Sequence, residues 1–125
     1  MVRIGKEFTF SASHRLEKLP QEHPCSRLHG HNYTVKLELT GEIRDNGMFI
    51  DYRDLDSFKK LIDSLDHADL NSSPRLPWHI RVQPTAEQLA IFFAEQALAL
   101  FQDAVSVTVT VQETPKTWAT VTLAR

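Results

Sequence analysis

The clearest pattern in the chain is strict alternation of apolar and polar positions. Val105, Val107, Val109 and Val111 alternate with Ser106, Thr108, Thr110 and Gln112, the period of a strand with one face buried. Tyr33, Val35, Leu37 and Leu39 alternate in the same way with Thr34, Lys36, Glu38 and Thr40, which predicts a strand over His31–Ile43. Val2–Ala12 mixes β-branched and aromatic residues, with Phe8 and Phe10 two apart, and predicts another strand. Trp118–Leu123 predicts the last, after a turn at Pro115-Lys116. Asp45-Asn46-Gly47 is a turn signal, and the apolar Met48-Phe49-Ile50 behind it predicts a returning hairpin strand.

Two stretches change period. Leu55, Phe58, Leu61, Ile62 and Leu65 fall at helical spacing behind a capping Asp51, which predicts a helix over about Tyr52–Leu65. Leu89, Ala90, Phe92, Phe93, Ala97, Leu100 and Phe101 predict a second helix, running to about Gln102, with Thr85 and Gln88 as its capping box. Arg15–Leu28, with Pro20 and Pro24, and Asn71–Gln83, with Pro74 and Pro77, are expected to be loops. The order β, β-hairpin, α, α, β, β groups like with like. It predicts an α+β fold over residues 1–125 as one domain: a four-stranded antiparallel sheet with two helices on one face. The other face, or an edge, is then uncovered, which points to a homo-oligomer.

Composition narrows the class. Hydrophobic residues at 42% and charged residues at 24% exclude a disordered chain. No apolar run is long enough to span a bilayer, and Met1–Phe10 carries Arg3, Lys6 and Glu7 where a secretory signal needs an apolar stretch. A net charge of −2 favours neither nucleic acid nor an anionic membrane as partner. The single cysteine, Cys25, rules out an intramolecular disulfide and fits a reducing cytoplasm. Six histidines in 125 residues are the conspicuous excess.

Cys25-Ser26-Arg27-Leu28-His29-Gly30-His31 is the densest chemical segment. Histidines two apart, entering a strand, present both imidazoles on one face, as half of a metal site. His14 ends the first predicted strand and is the leading third ligand. Three imidazoles and no thiolate suit a catalytic Zn2+ that polarises oxygen. Cys25, beside Arg27 and the histidines, is a candidate reactive thiolate; a fourth ligand and a small buried hydrophobe are the other readings. Asp66-His67 fits a proton-relay pair or a helix C-terminus that favours histidine. Glu113, at the end of a strand, can accept paired N–H bonds from a heterocycle edge or stand solvated. His23 and His79 are expected to be surface bystanders.

Together these segments resemble the 6-pyruvoyl-tetrahydropterin synthase family. The resemblance runs through Phe10–Leu16, Cys25–His31, Gly47–Tyr52, Leu65–Asn71, Pro84–Glu87 and Gln112–Thr114. It implies the tunnelling fold, a homo-oligomeric ring, commonly a hexamer built from two trimers, and active sites between subunits. It further implies zinc on His14, His29 and His31, Cys25 as the base, and Asp66 and His67 as its proton-transfer partners. Glu113 would anchor the pterin, with Thr85 and Glu87 on a segment that also contacts it. Cys25 and His29, with three residues between them, are most similar to the bacterial 6-carboxy-5,6,7,8-tetrahydropterin synthase branch of queuosine biosynthesis. That branch converts 7,8-dihydroneopterin triphosphate to 6-carboxytetrahydropterin, acetaldehyde and triphosphate. Triphosphate elimination without acetaldehyde, as in pyruvoyl-type enzymes, and a non-catalytic zinc-stabilised pterin binder are the alternatives. Gln112, where many relatives carry lysine, and Ala86, where serine or threonine is common, depart from the pattern.

Overall fold

The alternating segments assemble into one sheet. A computed structural model describes all 125 residues. The strands are β1 (Val2–His14), β2 (His29–Gly41), β3 (Ala68–Asp69), β4 (Ser106–Thr114) and β5 (Thr117–Ala124). Their order across the sheet is β3-β1-β2-β4-β5. The four long strands are antiparallel to their neighbours, as the pattern predicts, and the two-residue β3 adds a fifth, parallel to β1.

The returning strand expected at Met48–Ile50 does not form. β2 is flanked by β1 on one edge and β4 on the other, so no ladder position is left for it. Arg44 and Met48 close a single turn instead, through a backbone bond of 2.9 Å, with Gly47 at φ +83°. Phe49 then folds back over the end of β2 and is buried. A Cβ built on Gly41 would run into the Phe49 ring. Gly41→Ala is therefore expected to lower stability by about 1–3 kcal/mol, the range for overpacking a filled site, as read by chemical denaturation.

Asp51 caps a 3-10 turn over Tyr52–Leu55, its side chain accepting from the Arg53 N–H, and α1 (Asp56–Leu65) follows directly. The predicted single helix is thus a 3-10 turn continued by an α-helix. α2 (Trp78–Arg81) is a short helix inside the segment expected to be a loop, so His79 is helical though exposed. α3 (Ala86–Leu100) starts where the capping residues put it: Thr85 Oγ1 accepts from the Gln88 N–H at 3.2 Å. No helix is long and apolar enough to cross a membrane.

Both long helices lie on one face. Phe8, Phe10, Tyr33, Val35, Leu37, Val107, Val109 and Val111 project from the sheet into the same core as Phe58, Ile62, Leu89 and Phe93. Phe8 meets Phe58 edge-on at 5.4 Å, and Phe10 stacks on Tyr33 at 4.7 Å. Threonines mark the uncovered face, where Thr108 pairs with Thr122 and Thr110 with Thr120 through hydroxyl bonds of 2.9 and 2.8 Å. At one end of the core face the apolar series gives way to polar residues. There β1 and β2 pair His14 with His29 and Ala12 with His31.

Candidate functional site

Strand period puts four ligand-type residues on the core face. His14 continues the buried series of Phe8, Phe10 and Ala12. His29 and His31 lead into Tyr33 and Val35. Glu113 continues Val107, Val109 and Val111 on β4. The β4–β5 register shifts between Gln112 and Thr114, an irregularity that falls on Glu113 and frees it from regular pairing. One ligand atom from each of His14, His29, His31 and Glu113 lies within 4.8 Å of all the others.

The atoms facing inward are acceptors. His14 Nδ1 is 2.7 Å from the carbonyl oxygen of Pro84, and His29 Nδ1 is 2.7 Å from that of Arg27. A carbonyl only accepts, so both Nδ1 atoms carry the proton, and in the neutral rings both Nε2 atoms present lone pairs. Those two Nε2 atoms are 3.0 Å apart. Glu113 Oε1 stands 3.1 Å from His14 Nε2 and 3.0 Å from His31 Nε2, which is buried without a hydrogen-bond partner of good geometry. Converging lone pairs and a carboxylate repel one another unless a cation lies among them. Backbone carbonyls that lock the tautomers are the usual outer support of metal-binding histidines. The residues present therefore fit a metal ion.

Electrostatics agree. Burial, together with the neighbouring imidazoles, lowers the pKa of His31 against the opposing pull of Glu113, which keeps the ring neutral and able to donate its lone pair. Tyr33, fully buried beneath the cluster with its hydroxyl 3.3 Å from His14 Nδ1, is pushed well up by burial and stays a neutral phenol.

The other candidates lie around this cluster. Cys25 is half-buried on a 3-10 turn at Pro24–Ser26, and its thiol is not among the converging atoms. Its carbonyl accepts from the Leu16 N–H at 2.9 Å, and its N–H donates to His23 Nδ1 at 3.1 Å. His23 is thus an exposed turn cap. Asp66 and His67 sit between α1 and β3, and their side chains are not among the converging ligand atoms. Asp66 accepts from the Ser11 N–H at 2.8 Å, which lowers its pKa, and lies 3.1 Å from His67 Nδ1. His67 adopts the left-handed conformation at φ +60°, uncommon for a non-glycine residue, and its side chain is 85% exposed. It lines a polar cleft of about 540 Å³ with Ser11, Ser13, His31 and Asn32. Thr85 caps α3 directly after Pro84, whose carbonyl holds His14, and Glu87 is exposed in the first turn. Ala86 is buried in the core, and Gln112 pairs with Thr34 and Trp118, on the face opposite to Glu113.

Sequence patterns missed the two carbonyls and the clasp made by Asn71. Its side chain accepts from the Arg15 N–H and donates to the carbonyls of Arg15 and Arg81. Backbone acceptors leave no mark in residue type, so no sequence signal announces them. The face Glu113 takes follows from the β4 valine series, which it extends by one step, but its nearness to the histidines depends on the pairing of β2 with β4.

The profile of the family described as 6-pyruvoyl tetrahydropterin synthase matches residues 3–124. A Haemophilus influenzae protein named 6-carboxy-5,6,7,8-tetrahydropterin synthase is 38% identical over 74 residues, which are 54% of this chain and 51% of that protein. A Pongo abelii protein named 6-pyruvoyl tetrahydrobiopterin synthase is 32% identical over 72% of this chain and 70% of its own. Across four relatives bearing the 6-carboxy name, the matched stretch spans between 34% and 63% of their length. Among solved structures, that of Caenorhabditis elegans 6-pyruvoyl tetrahydropterin synthase superposes with a TM-score of 0.79 at 30% identity, covering 96% of this chain and 94% of that one.

Proposed function

Because this chain belongs to the 6-pyruvoyl tetrahydropterin synthase family, we propose that it is a tetrahydropterin synthase, a lyase acting on 7,8-dihydroneopterin triphosphate. Within the family we assign it to the 6-carboxy-5,6,7,8-tetrahydropterin branch, with zinc as its metal. The observation that carries the enzymatic assignment is the convergence of three imidazoles and Glu113 with tautomers locked outward. The Cys25-x3-His29 spacing supports the branch, as do relatives bearing the 6-carboxy name.

Each side chain then has a task. His14, His29 and His31 hold the metal, which when bound supplies Lewis-acid polarisation of the substrate's side-chain hydroxyls. Glu113 turns Oε1 toward the imidazoles, leaving Oε2 to accept from the amino edge of the pterin and orient the ring. Thr85 and Glu87 flank that ring from the start of α3. Cys25, as thiolate, takes the C1′ proton. The exposed His67, oriented by Asp66, moves protons on the opposite side of the substrate. Outside its own chain's converging ligand group, it serves a site completed by a second copy in a cytoplasmic homo-oligomer, a hexamer of two trimers.

The deciding experiment is product analysis. Zinc-loaded protein incubated with dihydroneopterin triphosphate is expected to release acetaldehyde in step with 6-carboxytetrahydropterin. A pyruvoyl product without acetaldehyde would overturn the branch, and binding without any turnover would leave only a pterin-binding oligomer.

A further inference from the structure

Cations are distributed unevenly over this chain. Arg3, Lys6, Lys36, Arg44, Arg53 and Lys59 are each paired with a carboxylate. Of the eight without such a partner, five (Arg15, Lys18, Arg27, Arg75 and Arg81) lie within the segments 15–28 and 71–83, while Lys60, Lys116 and Arg125 are scattered elsewhere. Those segments hold only two acidic residues, Glu17 and Glu22, in a chain whose net charge is −2. Hydrogen bonds stitch the two together. The Arg15 N–H donates to Asn71 Oδ1 at 2.7 Å, the Lys18 N–H donates to Gln83 Oε1 at 3.2 Å, and Asn71 Nδ2 reaches the Arg81 carbonyl at 3.0 Å. Arg81 also keeps its Nε buried without an acceptor.

This basic rim adjoins the histidine cluster through the backbone. Arg15 directly follows His14, and the Arg27 carbonyl is the acceptor that orients His29. Between them opens a concavity of about 710 Å³ lined by Arg15, Gln21, Glu22, Ser26, Arg27 and Leu28. Unpaired cations in so local a concentration repel one another and gain when a polyanion neutralises them. A guanidinium also matches phosphate oxygens in a bidentate fork.

We propose that this rim is the subsite for the substrate's polyphosphate tail, with Arg15 and Arg27 as its inner pair and Asn71 as the clasp that ties Arg15 to Arg81. The inference rests on the dihydroneopterin triphosphate assignment above. It divides the substrate between two environments: the pterin and its side chain at the histidine cluster and Cys25, the phosphates on the rim. The same cations would hold the leaving triphosphate as its carbon–oxygen bond breaks.

The test titrates metal-loaded protein with inorganic triphosphate and, separately, with 7,8-dihydroneopterin, which lacks the phosphates. Metal content is measured after each run. Replacing both inner residues (R15Q with R27Q) is expected to raise the triphosphate Kd about a hundredfold, some tenfold or about 1.4 kcal/mol for each guanidinium. The KM for dihydroneopterin triphosphate should rise in parallel, while dihydroneopterin affinity and metal content stay unchanged. Glu22→Gln, removing the one carboxylate that lines the concavity, should tighten triphosphate binding severalfold, an effect no purely structural role predicts. Lys60→Gln, on α1, should change nothing. Unaltered triphosphate affinity in the double variant, or an equal loss in Lys60→Gln, would overturn the rim. Triphosphate binding that depends on Arg15 and Arg27 in a protein unable to turn over dihydroneopterin triphosphate would uphold the rim and overturn the enzymatic assignment. Normal turnover with an unaffected KM in the double variant would do the reverse.

Discussion

Cys25→Ala protein is expected to bind zinc in wild-type amount and to lose about 10²–10⁴-fold in kcat, the contribution typical of a positioned general base. The structure makes this a clean substitution. The turn carrying Cys25 is held by main-chain groups, the Leu16 N–H on its carbonyl and its own N–H on His23 Nδ1. Alanine preserves both bonds. The thiol takes no part in the convergence of His14, His29, His31 and Glu113, so removing it leaves the metal's donors in place. Stopped-flow turnover paired with metal analysis on one sample separates the outcomes. Full turnover with normal zinc would remove Cys25 from the chemistry. Loss of zinc would return it to the role of ligand.

The second large effect falls on the metal. His29→Ala is expected to fold, since His29 is only half-buried, and to lose metal affinity by well over the ~10–100-fold that follows from disturbing an outer partner of a ligand. Turnover should fall with occupancy. Two imidazole donors remain in this variant, with His14 still locked by the Pro84 carbonyl, so weak binding at high zinc and partial recovery of activity are the expected signature. Stoichiometric zinc retained through dialysis against a chelator would show that His29 is no ligand. Zinc lost from a protein that stays fully active would place the metal outside the reaction.

Local period carried most of the architecture. β2 and β4 were legible because alternation of valines and leucines with threonines has one geometric meaning, a pleated strand with one wet face. The start of α3 was legible because Thr85 offers an oxygen to an N–H that would otherwise be unpaired. Met48–Ile50 was not. Its apolar run is equally consistent with a strand and with a chain folding over a core edge, and the choice depended on whether β2 had a free side. β3 was not legible either, because two residues carry no period. The loop carrying α2 was read by its prolines, yet Pro77 stands at the N-cap of that helix, where no N–H is needed and its carbonyl accepts from the Ile80 and Arg81 N–H groups.

The site divides along the same line. Residue type and spacing alone determined that three histidines and a cysteine stand where strands begin and end, and that Glu113 shares a face with the β4 valines. Those are consequences of a two-residue repeat, which local sterics impose wherever a strand forms. Only the tertiary structure decided that His14 pairs with His29 across β1 and β2, that carbonyls of Pro84 and Arg27 turn the lone pairs inward, and that Asn71 ties two distant loops into one basic rim. These depend on strand register and on backbone acceptors that every residue possesses. Nothing in residue identity distinguishes the carbonyl that orients a ligand from the hundred others, until the fold brings it within reach.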